Sequence, residues 1–287
     1  MLLNIKPLLE KARDGKYAIA HINILNLEWA RATIEVAKET NTPVILAMSD
    51  AVAPYFGGHA VMRNMVATLI ETLDAKVPIA IHLDHGSYDG CLKSIDCGFT
   101  SIMFDGSKLT LDENIKKTSE LVKLAHEKGV SVEAEVGSIG GVEDGVVGVG
   151  EIADPNECKT ISNLGIDALA CGIGNIHGKY PENWKGLNFE VLKKIKEEVG
   201  DMPLVLHGGS GIPDDMIKKA ISLGICKINV NTDLHLAFAG AVRKYIEDGK
   251  DKIGKGYDVR NLSKDGIEAI KNTVKSKFEL FGSLGKG

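Results

Sequence analysis

Val77 to Ile81 is an apolar run that passes directly into His82, Asp84 and His85 and stops at Gly86. Such a run with a glycine behind it suits a buried parallel strand and the turn that ends it. A carboxylate beside an imidazole at the C-terminal end of a strand can serve proton transfer and metal binding, although the same pair could cap the following helix. Other residues able to do chemistry fall at comparable places. Asp105, Glu133, Glu135, His207 and Asn229 sit within or just after short apolar runs, and His177 lies in the loop beyond another. The imidazoles of His85, His177 and His207 would make a site of three nitrogens with one position left open, the arrangement of catalytic rather than structural zinc. His21, His59, His82, His126 and His235 lack that context and read as structural.

Two glycine-rich turns accompany these residues. His207-Gly-Gly-Ser-Gly211 and Asn229-Val-Asn-Thr232 could hold a phosphate through backbone N–H groups at a helix N-terminus, with the Ser210 and Thr232 hydroxyls as further donors. Residues 137–150 hold six glycines in fourteen positions. They read as an irregular loop that closes over the site, carrying Glu143 and Asp144 as a mobile base.

The elements that must position these groups alternate along the chain. Strands are expected at 17–23, 43–48, 77–86, 100–104, 130–135, 168–171, 203–206 and 226–230. Helices are expected at 27–40, 60–73, 111–128, 155–164, 189–199, 213–223 and 233–246. Residues 4–14 read as a short N-terminal helix and 258–282 as an extra C-terminal one. Eight strand-then-helix units in roughly 250 residues point to an α/β fold of the (β/α)8, or TIM-barrel, class. No linker divides the chain, so residues 1–287 are expected to form one domain. Every candidate group then lies at the C-terminal mouth of the barrel, where such barrels build their active sites.

Composition narrows the partners. The chain has 287 residues, 44% of them hydrophobic, and a net charge of -5 without long blocks of one sign, so no nucleic-acid surface is expected. No apolar run is long enough to span a membrane, and no leader segment is evident. The cysteines number five and form no CxxC pair; Cys97, Cys171 and Cys226 read as buried small hydrophobes. A reducing, cytoplasmic location follows as the expectation.

Taken together, Ala80-Ile-His-Leu-Asp-His-Gly86, Ser131-Val-Glu-Ala-Glu135, Gly140-Gly-Val-Glu-Asp144, Leu204-Val-Leu-His-Gly-Gly-Ser-Gly-Ile212 and Lys227-Ile-Asn-Val-Asn-Thr232 resemble the class II, zinc-dependent ketose-bisphosphate aldolases. Asn23-Ile-Leu-Asn-Leu-Glu28 fits as well. The resemblance implies reversible cleavage of a ketose 1,6-bisphosphate, fructose 1,6-bisphosphate first, to dihydroxyacetone phosphate and glyceraldehyde 3-phosphate through a zinc-stabilised enediolate. A tagatose bisphosphate or another ketose 1-phosphate is the alternative substrate, and a metal-dependent hydrolase or a non-catalytic barrel the alternative roles. By the same resemblance His85, His177 and His207 are zinc ligands, and Asp105 and Glu135 serve a second divalent position. Asp84 is the proton donor, and Glu143 moves the C3 proton of dihydroxyacetone phosphate. Gly178, Gly208, Gly209, Ser210, Asn229, Val230, Asn231 and Thr232 form the phosphate cradle. Ser49 contacts the aldehyde, and Arg260 reaches the second phosphate from a neighbouring subunit. The resemblance also implies cobalt or manganese as substitutes for zinc, a monovalent cation, a phosphorylated sugar as substrate, and a homodimer or homotetramer. The chain departs from the family at Asp105-Gly-Ser-Lys108, Val142, Asn175 and Asp233, departures expected to bear on the aldehyde partner rather than on the metal chemistry.

Overall fold

The computed structural model describes residues 2–143, 146–148 and 150–287, with the side chains of residues 142–143 and 146–148 excepted. In chain order the strands are β1 Ile19–Asn23, β2 Val44–Ser49, β3 Ile79–Gly86, β4 Ser101–Phe104, β5 Ser131–Val136, β6 Gly140–Glu143, β7 Val146–Gly148, β8 Ala168–Cys171, β9 Ile176–His177, β10 Leu204–Leu206 and β11 Ile225–Val230. The helices are α1 Ile5–Asp14, α2 Leu27–Glu39, α3 Ala53–Phe56, α4 His59–Thr72, α5 Tyr88–Cys97, α6 Leu111–Glu127, α7 Pro155–Ser162, α8 Phe189–Val199, α9 Asp214–Ser222, α10 Thr232–Glu247, α11 Val259–Leu262 and α12 Lys264–Leu280.

Eight parallel strands close in the order β1-β11-β10-β8-β5-β4-β3-β2. The expected (β/α)8 barrel is therefore present, and α1 and α12 supply the extra N- and C-terminal helices. Because side chains alternate across a strand, every second residue points into the barrel. At its N-terminal end these are apolar: Ile19, Ile45, Ala80, Ala168, Ala170 and Val205 meet Ile5, Leu8, Leu9 and Ala12 of α1, which plugs the barrel floor. The small alanines leave room for that helix. Higher up, the inward positions turn polar at His21, His82, Ser101, Glu133 and Lys227, all fully buried. The outward faces of the strands carry the larger apolar cluster shared with the surrounding helices.

As expected, the third strand runs through Asp84 and His85 to Gly86, so these residues do not cap a helix. Three expectations are revised. The helix that follows, α5, gave no helical signal in the sequence, being short and interrupted by Gly90; its N-cap is Ser87, whose hydroxyl accepts from the Gly90 N–H. The glycine-rich stretch is not wholly irregular: β6 pairs antiparallel with β7 and parallel with β9. Cys97, expected inside, is half-buried, while Cys91, Cys158, Cys171 and Cys226 are buried.

Candidate active site

Neighbouring strand residues normally face opposite sides, yet Asp84 and His85 both serve the mouth. The ladder between β3 and β4 pairs Leu83 with Ile102 and then Gly86 with Phe104, so one extra residue is accommodated on β3. His85 absorbs it with φ of 45°, left-handed backbone that a non-glycine residue seldom adopts. The bulge re-aims the His85 ring toward the other imidazoles. Strain of this kind persists where the surroundings hold it, commonly at functional sites.

The three histidines expected at the mouth are brought together. Ring centroids lie 4.9 Å apart for His85 and His177, 4.8 Å for His85 and His207, and 5.9 Å for His177 and His207. One nitrogen from each lies within 4.8 Å of the others. The outer nitrogens are fixed by carboxylates: His85 Nδ1 lies 3.0 Å from Asp105 Oδ2, and His207 Nε2 lies 3.0 Å from Glu133 Oε1. A neutral imidazole has a single N–H, and a carboxylate acceptor claims it. The inner nitrogens, His85 Nε2 and His207 Nδ1, are left to face one another at 3.0 Å with lone pairs. Two lone pairs at that distance repel unless a cation lies between them. Burial, and then His85 beside it, keep His207 well below the usual imidazole range and therefore neutral. The donor set fits a zinc ion.

Asp105 and Glu135 adjoin His85 as a second group of potential ligands within 4.8 Å. Asp105 Oδ1 accepts from Ser107 N–H at 3.1 Å and from its hydroxyl at 2.6 Å. Burial pushes the Asp105 carboxyl up, but the His85 and Ser107 contacts outweigh it and hold the group below the ordinary carboxylate range. Glu135 moves the opposite way, raised by burial and then by Asp105, and its buried Oε2 accepts no hydrogen bond from the described residues. A buried carboxylate oxygen beside other carboxylates suits a cation.

Asp84 is fully buried at the centre of the mouth. Asn23 Nδ2 donates to Oδ2 at 3.0 Å and Asn229 Nδ2 to Oδ1 at 3.2 Å, fixing the carboxylate plane. Burial alone would raise its pKa; His21, His85, His207 and Lys227 together reverse that and hold it well below the usual value. Ser49, buried at the end of β2, stands opposite Asp84 in the ladder. Glu143 lies on β6, with its side chain outside the described part, and Asp144 lies outside the described residues.

The two glycine-rich turns lie against one another. Gly208 has φ of 63°, and a Cβ there would lie 2.0 Å from the Ile176 carbonyl oxygen. Gly209 N–H donates to the Asn229 carbonyl at 2.8 Å, tying the turn after β10 to the end of β11. Val230 ends that strand, Asn231 precedes α10, and Thr232 opens it. Ser210 Oγ accepts from Asp233 N–H at 3.1 Å, so its hydroxyl lies at the N-terminus of α10. Gly178, with φ of 84°, follows His177 directly. Arg260 stands apart: its side chain is 84% exposed and pairs with Asp258.

Sequence reasoning missed the buried supports. Glu133 was visible only as a polar residue near a strand end, and its role in orienting His207 needs the fold. Lys227 Nζ lies 2.8 Å from Glu133 Oε2 and 3.1 Å from Oε1, both groups fully buried. His82 donates to or accepts from Ser101 through Nδ1 and lies 3.9 Å from Glu133. Asn175 is a further buried support. It is 2% exposed, accepts from Ile173 N–H at 2.9 Å and donates to the His207 carbonyl at 3.0 Å, so both ends of its carboxamide serve the backbone.

Known proteins resemble this chain along nearly its whole length. The family model described as fructose-bisphosphate aldolase class-II matches residues 3–286. The chain is 53% identical to the fructose-bisphosphate aldolase of Mycoplasma genitalium over 288 residues, covering 100% of both. It is 51% identical to that of Ureaplasma parvum over 286 residues, covering 99% of this chain and 98% of the relative. Among solved structures, the YdjI aldolase of Escherichia coli superposes with a TM-score of 0.83 at 34% identity, covering 100% of this chain and 99% of that one.

Proposed function

The chain belongs to the class-II fructose-bisphosphate aldolase family, and we propose that His85, His177 and His207 hold the zinc on which its aldol chemistry depends. The protein is an aldolase, a glycolytic lyase, and its reaction is the reversible cleavage of fructose 1,6-bisphosphate to dihydroxyacetone phosphate and glyceraldehyde 3-phosphate. The observation that carries the zinc assignment is the pair of inner nitrogens, His85 Nε2 and His207 Nδ1, facing one another at 3.0 Å while carboxylates hold the outer ones. Bound there, zinc supplies a Lewis acid that draws electron density from the ketone oxygen. Cobalt or manganese can substitute, and Asp105 and Glu135 offer a second divalent position beside His85.

The chain's own groups do the rest. Asp84, held as an anion, takes the C4 hydroxyl proton as the carbon–carbon bond breaks and returns it when the bond forms. Asn23 and Asn229 keep its oxygens aimed while leaving it buried. Glu143 moves the C3 proton of dihydroxyacetone phosphate. The turns at Gly178, Gly208 to Ser210 and Asn229 to Thr232 bind its phosphate through backbone N–H groups. Ser49, adjacent to Asp84, contacts the aldehyde portion. Arg260 serves the second phosphate in an assembled homodimer or homotetramer. A monovalent cation completes the set. The metal route needs no Schiff-base lysine, and Lys227, the tempting candidate, is a buried ion-pair partner of Glu133.

A cytoplasmic location is consistent with five free thiols, and among the described residues no helix is long and apolar enough to cross a membrane. We read residues 1–287 as one domain because the last barrel strand pairs with the first.

The division of proton transfers is tested with Asp84→Ala. Cleavage of fructose 1,6-bisphosphate should fall by about 10²–10⁴-fold, while exchange of the C3 proton of dihydroxyacetone phosphate with solvent persists. Glu143→Gln should abolish exchange. Loss of exchange together with cleavage in the Asp84 variant, with zinc still bound, contradicts the assignment.

A further inference from the structure

Two of the three imidazoles sit beyond the barrel's own ladder. Strands β8 and β10 pair only through Leu204 with Leu169 and Val205 with Ala170. His207 follows the end of β10, and His177 belongs to the separate two-residue strand β9. Something other than the barrel ladder must set the spacing of these two turns.

Two side chains cross-link them. Asn175 folds its own turn by accepting from Ile173 N–H at 2.9 Å, and its Nδ2 donates to the carbonyl of His207 itself at 3.0 Å. Tyr180 spans the same gap one residue further on. Its hydroxyl accepts from Ile176 N–H at 3.1 Å and donates to the Gly208 carbonyl at 2.8 Å. The two backbones are in close contact here, since a Cβ on Gly208 would lie 2.0 Å from Ile176 O. The bonded groups flank both imidazoles: residues 175 and 176 precede His177, and the carbonyls belong to His207 and Gly208.

We propose that Asn175 and Tyr180 are positioning residues that fix the separation of His177 and His207 and so set the affinity of the site for zinc. The inference rests on the reading of His85, His177 and His207 as the zinc site. Neither residue is itself a ligand. Both act through backbone groups, so their removal tilts the imidazoles without deleting one.

The test is zinc affinity, measured by competition with a chromophoric chelator, on the intact chain carrying Asn175→Ala, Tyr180→Phe or Trp184→Phe. Trp184 is the control: its Nε1 donates to the Gly174 carbonyl at 2.7 Å, a bond within the His177 turn that does not reach the His207 turn. Because its ring packs on Tyr180 with centroids 4.1 Å apart, the replacement is phenylalanine, which keeps an aromatic ring there. Tyr180→Phe and Asn175→Ala should each weaken zinc by about tenfold or more, the scale seen when outer supports of metal ligands are removed. The visible spectrum of the cobalt-loaded variants should shift with them. Trp184→Phe should bind zinc as the wild type does. If Asn175→Ala fails to fold, Tyr180→Phe, which loses one hydroxyl, decides alone. Wild-type affinity in the folded clamp variants, or an equal loss in Trp184→Phe, overturns the inference. His207→Ala separates the two readings. Zinc lost in that variant but kept at wild-type affinity in the clamp variants removes the clamp alone, whereas wild-type affinity in His207→Ala removes the zinc site and the clamp with it.

Discussion

His85 Nε2 and His207 Nδ1 face each other at 3.0 Å, each on a ring whose other nitrogen is claimed by a carboxylate. A zinc ion held by these nitrogens binds the folded chain and not the unfolded one, and should therefore stabilise it. At a free zinc concentration one hundred times its dissociation constant, the unfolding free energy should rise by about 2.7 kcal/mol. Urea unfolding with and without zinc checks this, and His85→Ala should abolish the increment. An increment unchanged in that variant would place the ion elsewhere.

Lys227 and Glu133 form a fully buried ion pair below the mouth. Lys227→Met leaves an uncompensated carboxylate in the barrel and should cost about 3–5 kcal/mol. Adding Glu133→Gln removes the stranded charge, so the double variant should be more stable than the sum of the single losses allows. Strict additivity in a double-mutant cycle would show that the two groups do not act as a pair.

His21 is pushed down to about 3 by burial and then by Lys227, and His82 is held well below its usual value by the same causes. The folded state therefore binds fewer protons than the unfolded one across this range. Their contribution to stability is complete above about pH 6.5 and is lost as pH falls toward the folded-state values, at roughly 1.4 kcal/mol per pH unit for each imidazole. Urea unfolding of chelated protein should show no slope from these groups between about pH 7.5 and about pH 6.5 and that slope from there toward about pH 5, and His82→Gln should lower it by about one proton. A flat profile would mean the imidazoles are charged when buried.

Gly141 pairs with His177 across β6 and β9, with φ of 91°, and a Cβ on it would lie 2.1 Å from the His177 carbonyl oxygen. Gly141→Ala should force the hairpin away from the strand that carries an imidazole. Displacing Glu143 by about 1 Å should reduce C3 proton exchange by about 10²-fold. Exchange at the wild-type rate would show that the hairpin's seat is immaterial to proton abstraction.

The sequence made some of this visible and hid the rest for physical reasons. Apolar runs such as Pro43 to Met48 and Thr100 to Phe104 announced barrel strands because both faces of each are buried. His85, His177, His207 and Asp84 could be placed at one mouth because the barrel brings every strand end around a single axis. The bulge at His85 could not be seen, since left-handed backbone at a histidine leaves no mark in composition. The β6–β7 hairpin was hidden because its glycines carry no hydrophobic alternation and its position depends on pairing with distant β9. Glu133, Lys227 and Asn175 stand singly in the sequence, and their roles exist only as contacts with His207, the Glu133 carboxylate and the His207 carbonyl.

The most direct test of the zinc-centred account is the cleavage of fructose 1,6-bisphosphate by chelator-stripped enzyme, followed by stepwise return of zinc to wild type and to His207→Ala. The account predicts no measurable cleavage without metal, recovery in proportion to zinc bound by the wild type, and none in the variant. Full cleavage by metal-free protein, or recovery in His207→Ala equal to that of the wild type, would contradict it.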